Sequence, residues 1–105
     1  MERRVSELTG RQKGYLRALG QKLDALAVIG KAGLNDAALA NLKALLARHE
    51  LVKVRLGEGG PADRDGLVRQ LEQVTGAQCV GQVGRTALLY RPNPDLPDKQ
   101  RIIPT

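Results

Sequence analysis

Phenylalanine and tryptophan are missing from this 105-residue chain, and its aromatic content is two tyrosines, Tyr15 and Tyr90. A core without those rings has to be aliphatic, and two tyrosines cannot supply the stacking platform of an RRM. Cysteine is reduced to Cys79, in the apolar pair Cys79-Val80. It reads as a small buried hydrophobe in a reducing compartment. Histidine is reduced to His49, which removes Cys–His pairs and histidine-based metal sites, and G-x-S-x-G is absent. Asp63 and Asp65 flank Arg64, a pattern that suits a helix cap with an ion-pairing neighbour better than a cation site. The chain is therefore expected not to be an enzyme and to need no metal or cofactor. No apolar run approaches the length of a membrane span. The N-terminus is charged and lacks the apolar run of a signal peptide. A cytoplasmic protein with no membrane partner is expected.

What the chain has in excess is positive charge: 17 Lys and Arg against 11 Asp and Glu, a formal +6. In a small domain that excess favours a polyanionic partner. Residues 1 to 34 carry seven basic groups and three acids, so four of the six net charges lie in the first third.

Within that third the apolar segment Val28-Ile29 runs into Gly30-Lys31-Ala32-Gly33-Leu34, and Asn35 then opens a helical pattern. Two glycines three apart let the backbone turn tightly and approach a ligand without a Cβ in the way. Helix-start amides beyond them are complementary to an anion. The expected backbone clamp is Gly30, Lys31, Ala32 and Gly33, with Lys31 pairing a phosphate and amides around Gly33 and Leu34 donating. Strand, G-x-x-G, helix is how KH-type domains hold single strands. A P-loop is excluded, because Ala25 and Ala32 stand where its first glycine and its hydroxyl belong.

Thr9 and Gln12 form a capping box ahead of a helix carrying Tyr15, Leu16, Leu19 and Leu23 at helical spacing. Arg11, Lys13 and Arg17 lie on its other faces and extend the basic track, Lys13 and Arg17 one turn apart. A short strand spans 26 to 29. The helix after Asn35 has Leu39, Leu42 and Leu46 inward, with Arg48 and His49 in its last turn. Residues 51 to 56 alternate, with Val52, Val54 and Leu56 on one side and Lys53 and Arg55, further RNA-binding candidates, on the other. Asp63 is expected to cap a third helix with Leu67, Val68, Leu71 and Val74 inward, stopped by Gly76. Residues 79 to 91 read as a hairpin about Gly84-Arg85, with glycine first as in a type II′ turn. The order α-β-α-β-α-β-β predicts an α+β fold, an α/β two-layer sandwich with one four-stranded sheet. The domain is expected to span 1 to 92, and 93 to 105 to form an extended proline-containing tail that need not pack.

Four blocks align in order with a known pattern: Leu8-Thr9-Gly10-Arg11-Gln12-Lys13, Ile29-Gly30-Lys31-Ala32-Gly33-Leu34, His49-Glu50-Leu51-Val52-Lys53-Val54, and the hairpin's Val83-Gly84-Arg85-Thr86 with Leu89-Tyr90-Arg91-Pro92. Over about residues 7 to 92 the chain resembles the CRM domain (chloroplast RNA splicing and ribosome maturation) in its single-domain bacterial YhbY form. The resemblance implies an RNA-binding module with a G-x-x-G loop and a fold similar to the C-terminal domain of translation initiation factor three. It further implies a link to maturation of the large ribosomal subunit, with precursor rRNA as the partner. A monomer is expected. Arg85 and Arg91 match family blocks and join the candidates. One departure is Leu23-Asp24-Ala25-Leu26, where the family often has proline. A second reading of the same residues is an adaptor that docks on a ribosomal protein, its charge aiding approach only.

Overall fold

In the computed structural model, which describes residues 8–30, 33–57 and 60–104, the Thr9 hydroxyl accepts the Gln12 N–H at 3.1 Å and the Gln12 side chain accepts the Thr9 N–H at 2.9 Å. This capping box starts α1 (Gly10–Gly20). Leu16 is fully buried, whereas Tyr15 is exposed and Leu23 lies past the helix end. After β1 (Ala25–Ile29), the Asn35 carboxamide takes the Ala38 N–H at 2.8 Å and starts α2 (Asp36–Arg48). β2 (Leu51–Leu56) follows, then α3 (Pro61–Thr75).

Asp63 does not stand ahead of α3, as its sequence position suggests. The helix begins at Pro61, with Gly60 in the capping position, and the Asp63 carboxylate reaches back to accept the Gly60 N–H at 3.1 Å. Proline is preorganised for a first helical turn and has no N–H to leave unpaired there. Gly76, at φ 75°, ends the helix. The hairpin is β3 (Gln78–Val83) and β4 (Thr86–Tyr90). Gly84 has φ 56° and no described non-glycine residue has positive φ, so the Gly84-Arg85 turn has the single left-handed residue of type II′.

The sheet order is β1-β2-β4-β3, with β1 parallel to β2 and the other pairs antiparallel. The fold is the expected α+β arrangement in the expected order. Its helices, however, are divided between the two faces. One core contains Leu42, Leu46, Val68 and Leu71 of α2 and α3 against Ile29, Val52, Val54, Leu56 and Leu89. A smaller core sets Leu16 of α1 against Leu51, Val80, Leu88 and Tyr90 on the opposite face. Each of these buried leucines contributes roughly 1.5–3 kcal/mol by leaving water. A Cβ on Gly20 would overlap the Leu88 side chain, so the end of α1 sits directly on β4.

The segment after Pro92 packs, which corrects the expectation of a free tail. Glu50 is fully buried, and its carboxylate accepts the backbone N–H groups of Asn93 and Ile102 and pairs with Arg101 Nε at 3.0 Å. The Tyr90 hydroxyl donates to the Ile102 carbonyl at 2.8 Å, and Asn93 Nδ2 donates to the Ala47 carbonyl at 3.0 Å. A buried carboxylate needs such donors. The chain from 93 to 102 wraps back to supply them.

Candidate nucleic-acid interface

Strand directions decide which loops meet. β1 and β2 run in parallel and Ile29 pairs with Leu56, so the loops leaving both strands emerge at one end of the sheet. β4 is antiparallel to β2 with Arg55 opposite Thr86, which brings the Gly84-Arg85 turn to the same end. Leu56 N–H donates to the Arg85 carbonyl at 2.6 Å and ties hairpin to strand there. The G-x-x-G segment, the start of α2, the start of α3 and the hairpin tip therefore share one end of the molecule.

The loop's glycines differ. Gly33 has φ 76°, the left-handed region that side chains avoid. Its N–H donates to the Gly30 carbonyl at 3.0 Å and closes the turn, so this amide is satisfied within the loop and is not one of the expected outward donors. A Cβ on Gly30 would meet nothing within 4 Å, so nothing in the described structure demands glycine there and the space above it is open. Lys31 and Ala32 lie outside the described residues.

A third glycine, Gly57, constrains the same loop end from the neighbouring strand. A Cβ on it would lie 2.6 Å from the Ile29 carbonyl oxygen and 3.1 Å from the Gly30 carbonyl group. The second loop thus presses bare backbone against the base of the G-x-x-G turn. Only the Ile29–Leu56 pairing makes this visible, because Gly57 otherwise reads as one glycine in a glycine-rich loop.

The cationic candidates divide by place. Arg55 and Arg85 are exposed at the loop end, and among the described residues neither side chain has a hydrogen-bonding or ionic partner. Arg17 and Lys53 stand one row back and are tied into the fold. Arg17 Nη1 donates to the Val80 carbonyl at 3.0 Å with its methylenes over Gly81, and Lys53 Nζ donates to the Leu23 carbonyl at 3.0 Å. Arg11 is exposed and Lys13 half-buried in the first turns of α1. Arg91 follows Tyr90 at the far end of β4, about 20 Å along the chain direction from Arg85 at the hairpin tip. The nine described candidates do not form one cluster: Arg55 and Arg85 stand at the loop end, Arg17 and Lys53 behind them, and Arg91 at the opposite end of β4. His49 is the exposed C-cap of α2. Among the described residues, no group of three or more His, Cys, Asp or Glu is placed to hold a metal ion, and no helix is long and apolar enough to cross a membrane.

The model of the CRS1/YhbY (CRM) domain matches residues 8–91. This chain belongs to the CRM domain family. Among its relatives, "Probable RNA-binding protein PA4753" of Pseudomonas aeruginosa is 34% identical over 87 residues, covering 83% of this chain and 84% of that protein. "Probable RNA-binding protein YqeI" of Bacillus subtilis is 31% identical over 84 residues, covering 80% and 88%. The solution structure of the Staphylococcus aureus protein SAV1595 superposes with a TM-score of 0.79 at 31% identity, covering 92% of this chain and 99% of that one. In this CRM domain the G-x-x-G blocks and the hairpin block, distant in sequence, meet at the loop end of the sheet.

Proposed function

We propose that this CRM domain binds RNA by its sugar-phosphate backbone at the loop end of the sheet. The observation that carries the reading is the convergence of an open-topped G-x-x-G turn with Arg55 and Arg85, two exposed cations without a partner among the described residues. The RNA-binding relatives support the same partner. Backbone passes over Gly30, where no described side chain intervenes, and the arginines and Lys31 take phosphates. Arg17 and Lys53, already held by carbonyls, act as fixed positive charge and not as mobile contacts. With two tyrosines in the chain, and Tyr90 buried and bonded to the tail, phosphate and shape dominate over base stacking. In the cell, the reading is an assembly factor on precursors of the large ribosomal subunit, a role that rests on the family resemblance.

The direct test is a salt titration of affinity for a single-stranded RNA. About four phosphate contacts give a log–log slope near −3. A slope near zero would overturn backbone gripping. Sedimentation of lysate tests the cellular role: co-migration with particles lighter than the mature large subunit is expected, and residence only at the top of the gradient would remove the ribosome from the reading.

A further inference from the structure

α1 covers only part of its face of the sheet. Beyond its end a row of residues crosses all four strands: Val28 on β1 pairs with Arg55 on β2, Arg55 with Thr86 on β4, and Thr86 with Val83 on β3. Val28 is 63% and Val83 80% exposed. Four strands at about 4.8 Å spacing make this row about 14 Å long. It starts beside Ile29-Gly30 and ends at a groove of about 550 Å³ between the end of α1 and the hairpin. That volume lies within the range of about 300–1,000 Å³ typical of small-ligand sites. The groove's walls combine Val83 and Leu88 with Gln21, Thr86, Arg17 and Lys53, and none of the residues lining it is acidic.

Resting on the backbone-grip reading, we propose that this groove is the base-side half of the RNA site and receives an unpaired nucleobase of the strand gripped at the G-x-x-G loop. The charge selects the occupant. An apolar floor flanked by Arg17 and Lys53, approached past Arg55, suits a flat apolar group attached to phosphates. A nucleobase brings phosphates to these cations through its own backbone, whereas a protein segment would have to place Asp or Glu side chains opposite both Arg17 and Lys53. The base lies against the Val83 and Leu88 side chains. The Gln21 amide and Thr86 hydroxyl offer both donor and acceptor to its edge. Gly81 carries no side chain, and Arg17 occupies the space above it, held by the Val80 carbonyl. The guanidinium plane is thus fixed at the groove wall, where Arg can stack on a base without an aromatic residue.

The test uses the full chain with two probes of equal length, a uridine octamer and its abasic sugar-phosphate analogue, and the variant Val83→Ser. Val83 is exposed, and the variant's thermal midpoint verifies its fold. The intact protein should bind the uridine octamer about fivefold to tenfold tighter than the abasic one, the margin expected when one base buries part of its face against aliphatic side chains. The Val83→Ser variant should lose most of that margin and keep its affinity for the abasic probe. Equal affinity of the intact protein for both probes, or a margin unchanged in the variant, would overturn the base site and leave the backbone grip standing. Binding of neither probe would overturn the grip itself. Val83 and Leu88 methyl resonances that stay still at saturation while loop amides shift would likewise end the proposal.

Discussion

Gly33 sits at φ 76°, where a side chain is strained, whereas a Cβ on Gly30 would meet nothing within 4 Å. Replacing each by alanine therefore separates fold from function. Gly33→Ala should cost about 1 kcal/mol in urea denaturation. Gly30→Ala should leave stability within about 0.5 kcal/mol of the parent and weaken RNA binding by fluorescence anisotropy, because the new methyl stands where backbone approaches. Unchanged affinity in Gly30→Ala would mean the strand passes elsewhere. Gly57→Ala should do both kinds of damage. Its Cβ, 2.6 Å from the Ile29 carbonyl oxygen, forces the two loops apart at a cost of about 1–3 kcal/mol. It should also lower RNA affinity by moving Gly30, which amide chemical shifts of residues 30 to 34 would report.

Among the elements, β4 joins the sheet to the C-terminal segment. Tyr90 at its end is 3% exposed, and its hydroxyl donates to the Ile102 carbonyl. Burial and the neighbouring Glu50 carboxylate raise its pKa above tyrosine's ordinary 10.0, against a smaller opposing effect of Arg101. Below pH 10 both folded and unfolded chains hold this proton, so its contribution to stability is fully present. Above that pH the unfolded chain releases the proton first, and stability falls as pH rises through the folded value. Urea midpoints measured between pH 8 and 11 should fall more steeply for the parent than for Tyr90→Phe. That variant should itself lose about 1 kcal/mol at pH 7 through the missing hydrogen bond. Parallel pH profiles would show that Tyr90 is not the group responsible. The same end of the sheet explains Glu50. Glu50→Ala removes the acceptor of three donors and should destabilise by about 2 kcal/mol or more. Faster amide exchange at Ile102 should accompany it.

For the molecule as a whole, the uneven charge becomes a directional device only through topology. Arg17 and Lys53, tied to backbone carbonyls, line the groove, while Arg55 and Arg85, exposed and without a partner among the described residues, lie toward the loop end. The free pair should dominate the salt response. Arg55→Ala/Arg85→Ala should flatten the log–log slope by about 1.4, two phosphates' worth on single strands. Arg91→Ala, at the opposite end of β4, should leave the slope unchanged. Equal effects of the two variants would spread the binding surface over the whole protein.

Much of this protein is written locally in its sequence. The Thr9–Gln12 capping box, the Asn35 cap, the Gly76 stop, the alternation of residues 51 to 56 and the glycine-first hairpin turn each depend on residues within a few positions of one another, and each stands in the structure. The G-x-x-G turn was legible for the same reason. What required the tertiary structure involves partners far apart in the chain. Strand order β1-β2-β4-β3 decides that the G-x-x-G loop and the hairpin tip meet. The position of α1 opposite α2 and α3 decides that Lys53 is half covered and Arg55 open. The capture of residues 93 to 102 by Glu50 is decided across more than forty positions. Short-range hydrogen bonds and turns select among few backbone states and leave their mark in adjacent residues. Register and layer choice follow from the summed burial of whole faces, and that sum is defined only when the faces meet.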